Sequence, residues 1–297
     1  MKSLSRNAII GYPAGIITGI SYGLNPLFGM PLIRDGVSIG SILFFRYAIA
    51  VLLLGGFLLL TRQSFRITLR QAGVLLVLGL LYTCSSLFLF EAYNYIASGL
   101  ATTLVFLYPA MVAIIMVFLR VVPSWPVWVS LVATFVGVII MTQGDSSQAI
   151  HPAGVVLSLA SAFVYSLFIV IINRSNAIST LSNTELTFYA LLVGTVVFLG
   201  RVLLSSEGGL TTGIEGCTAW CNLLALALLP TIVSTASLAI ATRNIGATKA
   251  SVLGVFEPIT AILVGTLVFG EALTNNILIG ITIAMVAVTF MIISTKR

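Results

Sequence analysis

The amino-acid sequence predicts an all-α integral membrane protein, with ten transmembrane helices arranged as two inverted-topology five-helix repeats. Three observations carry this reading. Of 297 residues, 59% are hydrophobic and only 7% are charged, whereas soluble domains carry about 25% charged residues. The apolar residues gather into ten runs separated by short polar breaks. Landmark residues of the first five runs then return, in order, in the last five.

The runs fall at about 8–30, 38–61, 71–93, 98–119, 126–143, 153–173, 183–204, 217–241, 248–269 and 274–294. A helix needs roughly 20 apolar residues to cross a bilayer. No connection is long enough for a soluble domain, so the chain reads as one membrane domain, with a first repeat at 9–143 and a second at 152–294. The first run is too long for a signal-peptide core and lacks a clear cleavage site, so it counts as a span.

The net charge of +6 does not point to nucleic acid, because the charges are sorted by side. Lys2, Arg6, Arg62, Arg66, Arg70, Arg120, Arg174, Arg243, Lys249, Lys296 and Arg297 fall at one face. Only Arg34 and Arg201 fall at the other, and Arg46 lies within a span. Basic residues concentrate on the cytoplasmic side. This predicts a multi-pass protein of the cell (inner) membrane with both termini cytoplasmic, whose partners are lipid and a small solute.

Span one carries Gly11, Gly15, Gly19 and Gly23, and span six carries Gly154, Ser158, Ala162 and Ser166 at the same spacing of four. Such a face lets a second backbone approach closely. Tyr22 matches Tyr165, Tyr47-Ala48 matches Tyr189-Ala190, and Tyr108-Pro109 matches Glu257-Pro258. Five spans per copy is an odd number, so the second copy enters the membrane inverted. Inverted repeats are an architecture of alternating-access transporters, with the substrate site near the midplane.

Four spans carry interior breaks, at Pro26, Pro109, Pro230 and Pro258. Proline removes a backbone donor and frees the carbonyl four residues earlier. Pro26 thus frees the Tyr22 carbonyl beside the Asn25 amide, Pro230 that of Leu226, and Pro258 that of Gly254. These prolines read either as packing kinks repaired by neighbouring helices or as breaks at a cavity. The second reading is stronger for Pro109 and Pro258, which the two copies share.

Glu257 lies about 13 Å along its helix from Thr248 at 1.5 Å per residue, near mid-membrane. A charge at that depth marks function, and two readings stand: a proton-coupling or amine-binding carboxylate, or a neutral carboxyl bonded between helices. Arg46 lies roughly 12 Å deep, where it either binds a substrate carboxylate or snorkels or pairs structurally, with Glu91 as the natural ion-pair partner. Tyr22, Tyr82, Phe88, Tyr108, Tyr165 and Tyr189 fall away from the interfacial belts. With Ser85, Ser86, Ser234 and Thr235 they either pack the core or line a cavity for a mid-sized, partly apolar solute.

Enzyme chemistry finds little support. The single histidine, His151, precedes Pro152 in a loop, and neither a metal-binding helix nor a Walker-type glycine loop is present. Cys84, Cys217 and Cys221 make no disulfide framework. Cys217 and Cys221 share one helical face, but no third ligand completes a metal site. No cofactor or metal is expected, and a proton is the candidate coupling ion.

These residues resemble the EamA domain of the drug/metabolite transporter superfamily. The last helices of that family read Leu/Phe-Glu-Pro, then Gly-Glu, then a polar step before a glycine-containing span. Here these are Phe256-Glu257-Pro258, Gly270-Glu271, Asn275-Asn276 and Gly280. The first copy fits through Phe44-Phe45-Arg46-Tyr47-Ala48, the stretch from Ala92 to Leu104, and Tyr108-Pro109. It departs at Leu119-Arg120-Val121-Val122, where the family usually has a second Gly-Glu pair. Glu271 therefore reads as a turn and helix-start residue, favourable at a helix N-terminus. The resemblance implies ten helices in two inverted repeats and secondary transport of small organic metabolites, often export and often of amino acids.

The expected protein is thus a monomeric exporter with Glu257 and Tyr108 at its centre. Arg46, Asn25, Tyr82, Tyr165 and Tyr189 stand near them, and Pro26, Pro109 and Pro258 supply the breaks. Two rivals remain open at this point: a flippase for lipid-linked or amphipathic molecules, and a non-transporting membrane scaffold or sensor subunit.

Overall fold

A run of some twenty apolar residues has no stable form in lipid except one that satisfies its own backbone, and the chain is built accordingly. A computed structural model describes residues 6–63, 65–96, 98–142, 151–204, 209–269 and 275–294. Among these residues the regular structure is helical throughout, with no strand. In order the helices are α1 (Arg6–Gly23), α2 (Asn25–Arg34), α3 (Ile39–Leu60), α4 (Leu69–Ala92), α5 (Ser98–Val105), α6 (Tyr108–Phe118) and α7 (Trp125–Thr142). Then follow α8 (Pro152–Arg174), α9 (Asn183–Leu204), α10 (Gly216–Leu226), α11 (Ser234–Ile245), α12 (Ala247–Val252), α13 (Phe256–Phe269) and α14 (Asn275–Ser294).

Among the described residues, seven helical segments are long and apolar enough to cross a membrane: Arg6–Arg34, Ile39–Leu60, Leu69–Ala92, Pro152–Arg174, Asn183–Leu204, Gly216–Ile245 and Ala247–Phe269. Tyr108–Phe118, Trp125–Gly137 and Leu278–Met291 are shorter apolar helices. The run read at 98–119 is divided between α5 and α6. The Gly270-Glu271 turn and the charges of Lys2, Lys296 and Arg297 lie outside the described residues.

Short polar signals set the helix ends. Ser38 accepts from the Ser41 amide at 3.2 Å to start α3. At α4, Thr68 and Gln71 cap each other's backbone at 3.2 and 2.8 Å. After α3 and α6 the chain turns through Arg62 (φ 52°) and Arg120 (φ 61°). Both arginines adopt the left-handed conformation in which glycine usually ends a helix, with their charge beside the negative end of the dipole.

The strongest helix pairings are α7 with α14, α1 with α11, α4 with α8, and α3 with α9, followed by α4 with α9, α1 with α13 and α8 with α6. The glycine face of α1 makes the α13 contact possible. A Cβ on Gly19 would lie 2.8 Å from the Phe256 Cβ, and one on Gly23 would lie 2.5 Å from the Glu257 carbonyl oxygen. On α8, Gly154, Ser158, Ala162 and Ser166 are likewise buried, and a Cβ on Gly154 would lie 2.8 Å from Ile96. Leu52, Leu60, Phe118, Leu204 and Leu267 point outward and exposed, as a surface bathed in acyl chains requires.

Candidate functional site

Pro26, Pro109, Pro230 and Pro258 mark four departures from regular α-helix, whereas Pro13 and Pro31 lie inside α1 and α2. α1 stops at Gly23 and α2 restarts at Asn25, with Pro26 in its first turn. The Tyr22 carbonyl that Pro26 leaves unserved accepts from Asn25 Nδ2 at 2.9 Å. Pro230 sits in a π-helical stretch, Ala227–Val233, between α10 and α11. The Leu226 carbonyl it frees accepts from Thr231 Oγ1 at 2.7 Å. Pro109 follows the turn at Phe106 and Leu107, and Pro258 follows the 3₁₀ turn Leu253–Val255. In the first two cases the residue beside the proline supplies the missing donor.

Arg46, on α3, ties these two repaired breaks together. Its Nη1 donates to Asn25 Oδ1 at 2.9 Å, its Nε donates to Thr231 Oγ1, and its Nη2 donates to the Pro230 carbonyl at 3.3 Å. A chain of bonds therefore runs from the Tyr22 carbonyl through Asn25, Arg46 and Thr231 to the Leu226 carbonyl. The guanidinium is fully buried, with the Tyr47 and Phe90 rings 5.8 and 5.7 Å from it. Among the described residues no carboxylate pairs with it.

This corrects two expectations. Arg46 does not snorkel, because α3 turns it toward the π-helical stretch of the other half. Nor does it pair with Glu91, which forms a half-exposed ion pair with Arg201 of α9.

Glu257 lies in the first turn of α13, immediately after the 3₁₀ turn, and is 2% exposed. Its Oε1 finds no hydrogen-bond partner among the described residues. A buried, unpaired oxygen of this kind is rare in folded proteins and calls for an explanation. The Tyr108 hydroxyl presses on Gly254, where even a methyl group would overlap it. The break in one half thus reaches into the break of the other.

Aromatic rings join these points. Tyr165 meets Tyr108 edge-on at 4.9 Å and stacks with Tyr22 at 5.9 Å. Tyr82 lies between Tyr47 at 5.8 Å and Phe168 at 5.2 Å, and its hydroxyl accepts from Thr235 at 3.0 Å. The Tyr47 and Ser86 hydroxyls are 2.7 Å apart. Every one of these rings is buried, so the centre is closed to solvent.

A model described as the EamA-like transporter family matches residues 9–143 and, a second time, residues 152–293. The chain belongs to the EamA-like transporter family. Each match covers one of the two repeats read from the sequence. Membership makes the protein a multi-pass membrane transporter and not an enzyme, with a small-molecule solute and the bilayer as its partners. No curated protein matches the chain. A protein of known crystal structure superposes with a TM-score of 0.77 over 97% of this chain and 98% of its own, at 15% identity. The fold is therefore shared between two very different sequences.

In this EamA-like transporter, Asn25, Arg46, Tyr82, Tyr108, Tyr165 and Glu257 come together in the buried centre. Tyr189 does not. It lies near the start of α9, and its hydroxyl donates to the Phe65 carbonyl at 2.7 Å, so its register match to Tyr47 does not carry a shared environment. Cys217 and Cys221 are exposed with sulfurs 3.8 Å apart, and no cluster of three metal ligands occurs among the described residues. Thr231 escaped sequence reasoning. The available signal was its place beside Pro230, much as Asn25 stands beside Pro26.

Proposed function

We propose that this EamA-like protein is a secondary transporter that exports small organic metabolites, amino acids or related compounds, across the inner membrane by alternating access. The observation that carries the reading is the Arg46 tie between two proline breaks, one in each half, together with Glu257, a buried carboxylate in a third break with an unpartnered oxygen. One cation and one carboxylate in a closed aromatic centre suit a solute that has both polar ends and an apolar body. In this reading Glu257 exchanges a proton or receives an amine, and Arg46 receives an anion once its bonds to Thr231 and Pro230 open.

The helix pairings support two inverted repeats within a ten-span chain. Exchanging the repeats carries α3–α9 and α7–α14 onto themselves, α4–α8 onto α11–α1, and α6–α8 onto α13–α1. Such a pairing scheme lets one half rock against the other about a common centre. Termini on the cytoplasmic side and a monomeric state complete the proposal, with the charge distribution as support for the orientation.

The test is substrate counterflow in proteoliposomes with a panel of amino acids, nucleosides and quaternary amines. Wild type and Glu257→Gln are compared with and without a pH gradient. Gradient-dependent uptake that the variant loses while exchange persists assigns proton coupling to Glu257. Equal behaviour of the two proteins removes Glu257 from the mechanism, and absence of counterflow for every solute overturns the metabolite-export reading.

A further inference from the structure

At the arginine-rich end of the bundle a groove of about 390 Å³ opens between α4 and α8, lined by Leu69, Arg70, Gly73, Val77, Ile171 and Ser175 among others. Its walls are aliphatic apart from Arg70 and Ser175, and no carboxylate lines it. Gly73 forms part of the open floor, and a Cβ there would meet nothing within 4 Å. Leu69 and Val77 stand two helical turns apart, about 12 Å at 1.5 Å per residue. The groove therefore runs from headgroup level into the acyl region.

Arg70 stands exposed in the first turn of α4, and its guanidinium makes no hydrogen bond or ion pair with any described residue. Its charge adds to the positive end of the α4 dipole. An uncommitted cation at the mouth of an aliphatic trough complements one occupant: an amphiphile with an anionic head and a hydrocarbon tail. Basic pockets between transmembrane helices on the cytoplasmic side recognise anionic phospholipid headgroups in this way.

We propose that the groove is a binding site for an anionic phospholipid of the cytoplasmic leaflet. The phosphate lies against Arg70 and the Ser175 hydroxyl, and one acyl chain follows Gly73 and Val77. α4 belongs to the first repeat and α8 to the second, so the lipid touches both halves at their seam. The proposal rests on the membrane assignment and on the arginine-rich face being cytoplasmic, and does not depend on the transported solute.

The test uses the purified full chain, incubated with equal amounts of phosphatidylglycerol and phosphatidylcholine of the same acyl chains, with retained lipid read by native mass spectrometry. Wild type is expected to retain the anionic lipid about fivefold over the zwitterionic one, the ratio that one arginine near the surface supplies. Arg70→Gln brings this ratio close to one. Gly73→Leu lowers retention of both lipids, because its side chain grows into the groove from a Cβ position with nothing within 4 Å. The proposal requires both effects. A wild-type ratio near one, a ratio untouched by Arg70→Gln, or retention untouched by Gly73→Leu each overturns it, whatever the outcome of transport assays.

Discussion

Asn25 and Arg46 hold one another across two helices while each serves a second purpose. Asn25 Oδ1 accepts from Arg46 Nη1 at 2.9 Å, and Asn25 Nδ2 donates to the Tyr22 carbonyl at 2.9 Å. One amide thus repairs the break at Pro26 and anchors the cation that reaches the break at Pro230. Replacing Asn25 with Ala leaves a carbonyl and a guanidinium N–H unmet in a dry interior, at a cost of about 3 kcal/mol. Arg46→Lys is expected to cost a similar amount, because a point charge cannot reproduce the planar fork. Thermal melting in detergent checks both, and an unchanged midpoint for either contradicts the tie.

The Glu91–Arg201 pair offers a contrast. Its side chains are 24% and 36% exposed, so water screens it and Glu91→Gln is expected to cost below about 1 kcal/mol. A loss as large as that of Asn25→Ala would mean that this ion pair is not screened by water and holds the halves together as strongly as the buried tie.

Gly254 and Tyr108 test the contact between the breaks of the two halves. Gly254→Ala is expected to destabilise by about 1–3 kcal/mol through overpacking, since its methyl would overlap the Tyr108 hydroxyl. Tyr108→Phe removes that oxygen and should recover part of the loss. A double-mutant cycle measures this, and strictly additive effects would show that the two residues do not touch.

The glycines of α1 should differ sharply from glycines that face outward. Gly23→Ala places a Cβ 2.5 Å from the Glu257 carbonyl oxygen, whereas Gly56 and Gly200 have nothing within 4 Å of the added atom. Gly23→Ala is expected to cost at least about 2 kcal/mol, and Gly56→Ala to gain about 0.5–1 kcal/mol from helix propensity. Melting midpoints that move the same way would sink the close-packing account.

Arg120 occupies the left-handed position after α6 at φ 61° and is exposed. For a residue with a Cβ this conformation costs roughly 1–2 kcal/mol, part of which Gly loses again in the freer unfolded chain. Arg120→Gly is therefore expected to raise stability by up to about 1 kcal/mol. A fall in melting temperature would show that the arginine charge at the helix end outweighs its backbone strain.

Sequence alone determined the membrane character, the positions of most helices and the places of the prolines where helices depart from regular geometry, because these depend on local properties: apolar length and the missing proline N–H. It also identified which carbonyls Pro26 and Pro230 would free. That Pro26, Pro109, Pro230 and Pro258 stand at departures while Pro13 and Pro31 lie inside helices was decided by the packing. The tertiary structure decided which side chains answer them and which charges meet. Arg46 finds Thr231 at a sequence separation of 185, and Glu91 finds Arg201 at a separation of 110. Such choices follow from the angle and depth at which helices pack, which no local pattern encodes. The same packing sends Tyr189 to the Phe65 backbone while its register partner Tyr47 stays in the centre. Two copies of one motif thus acquire different roles once they face different neighbours.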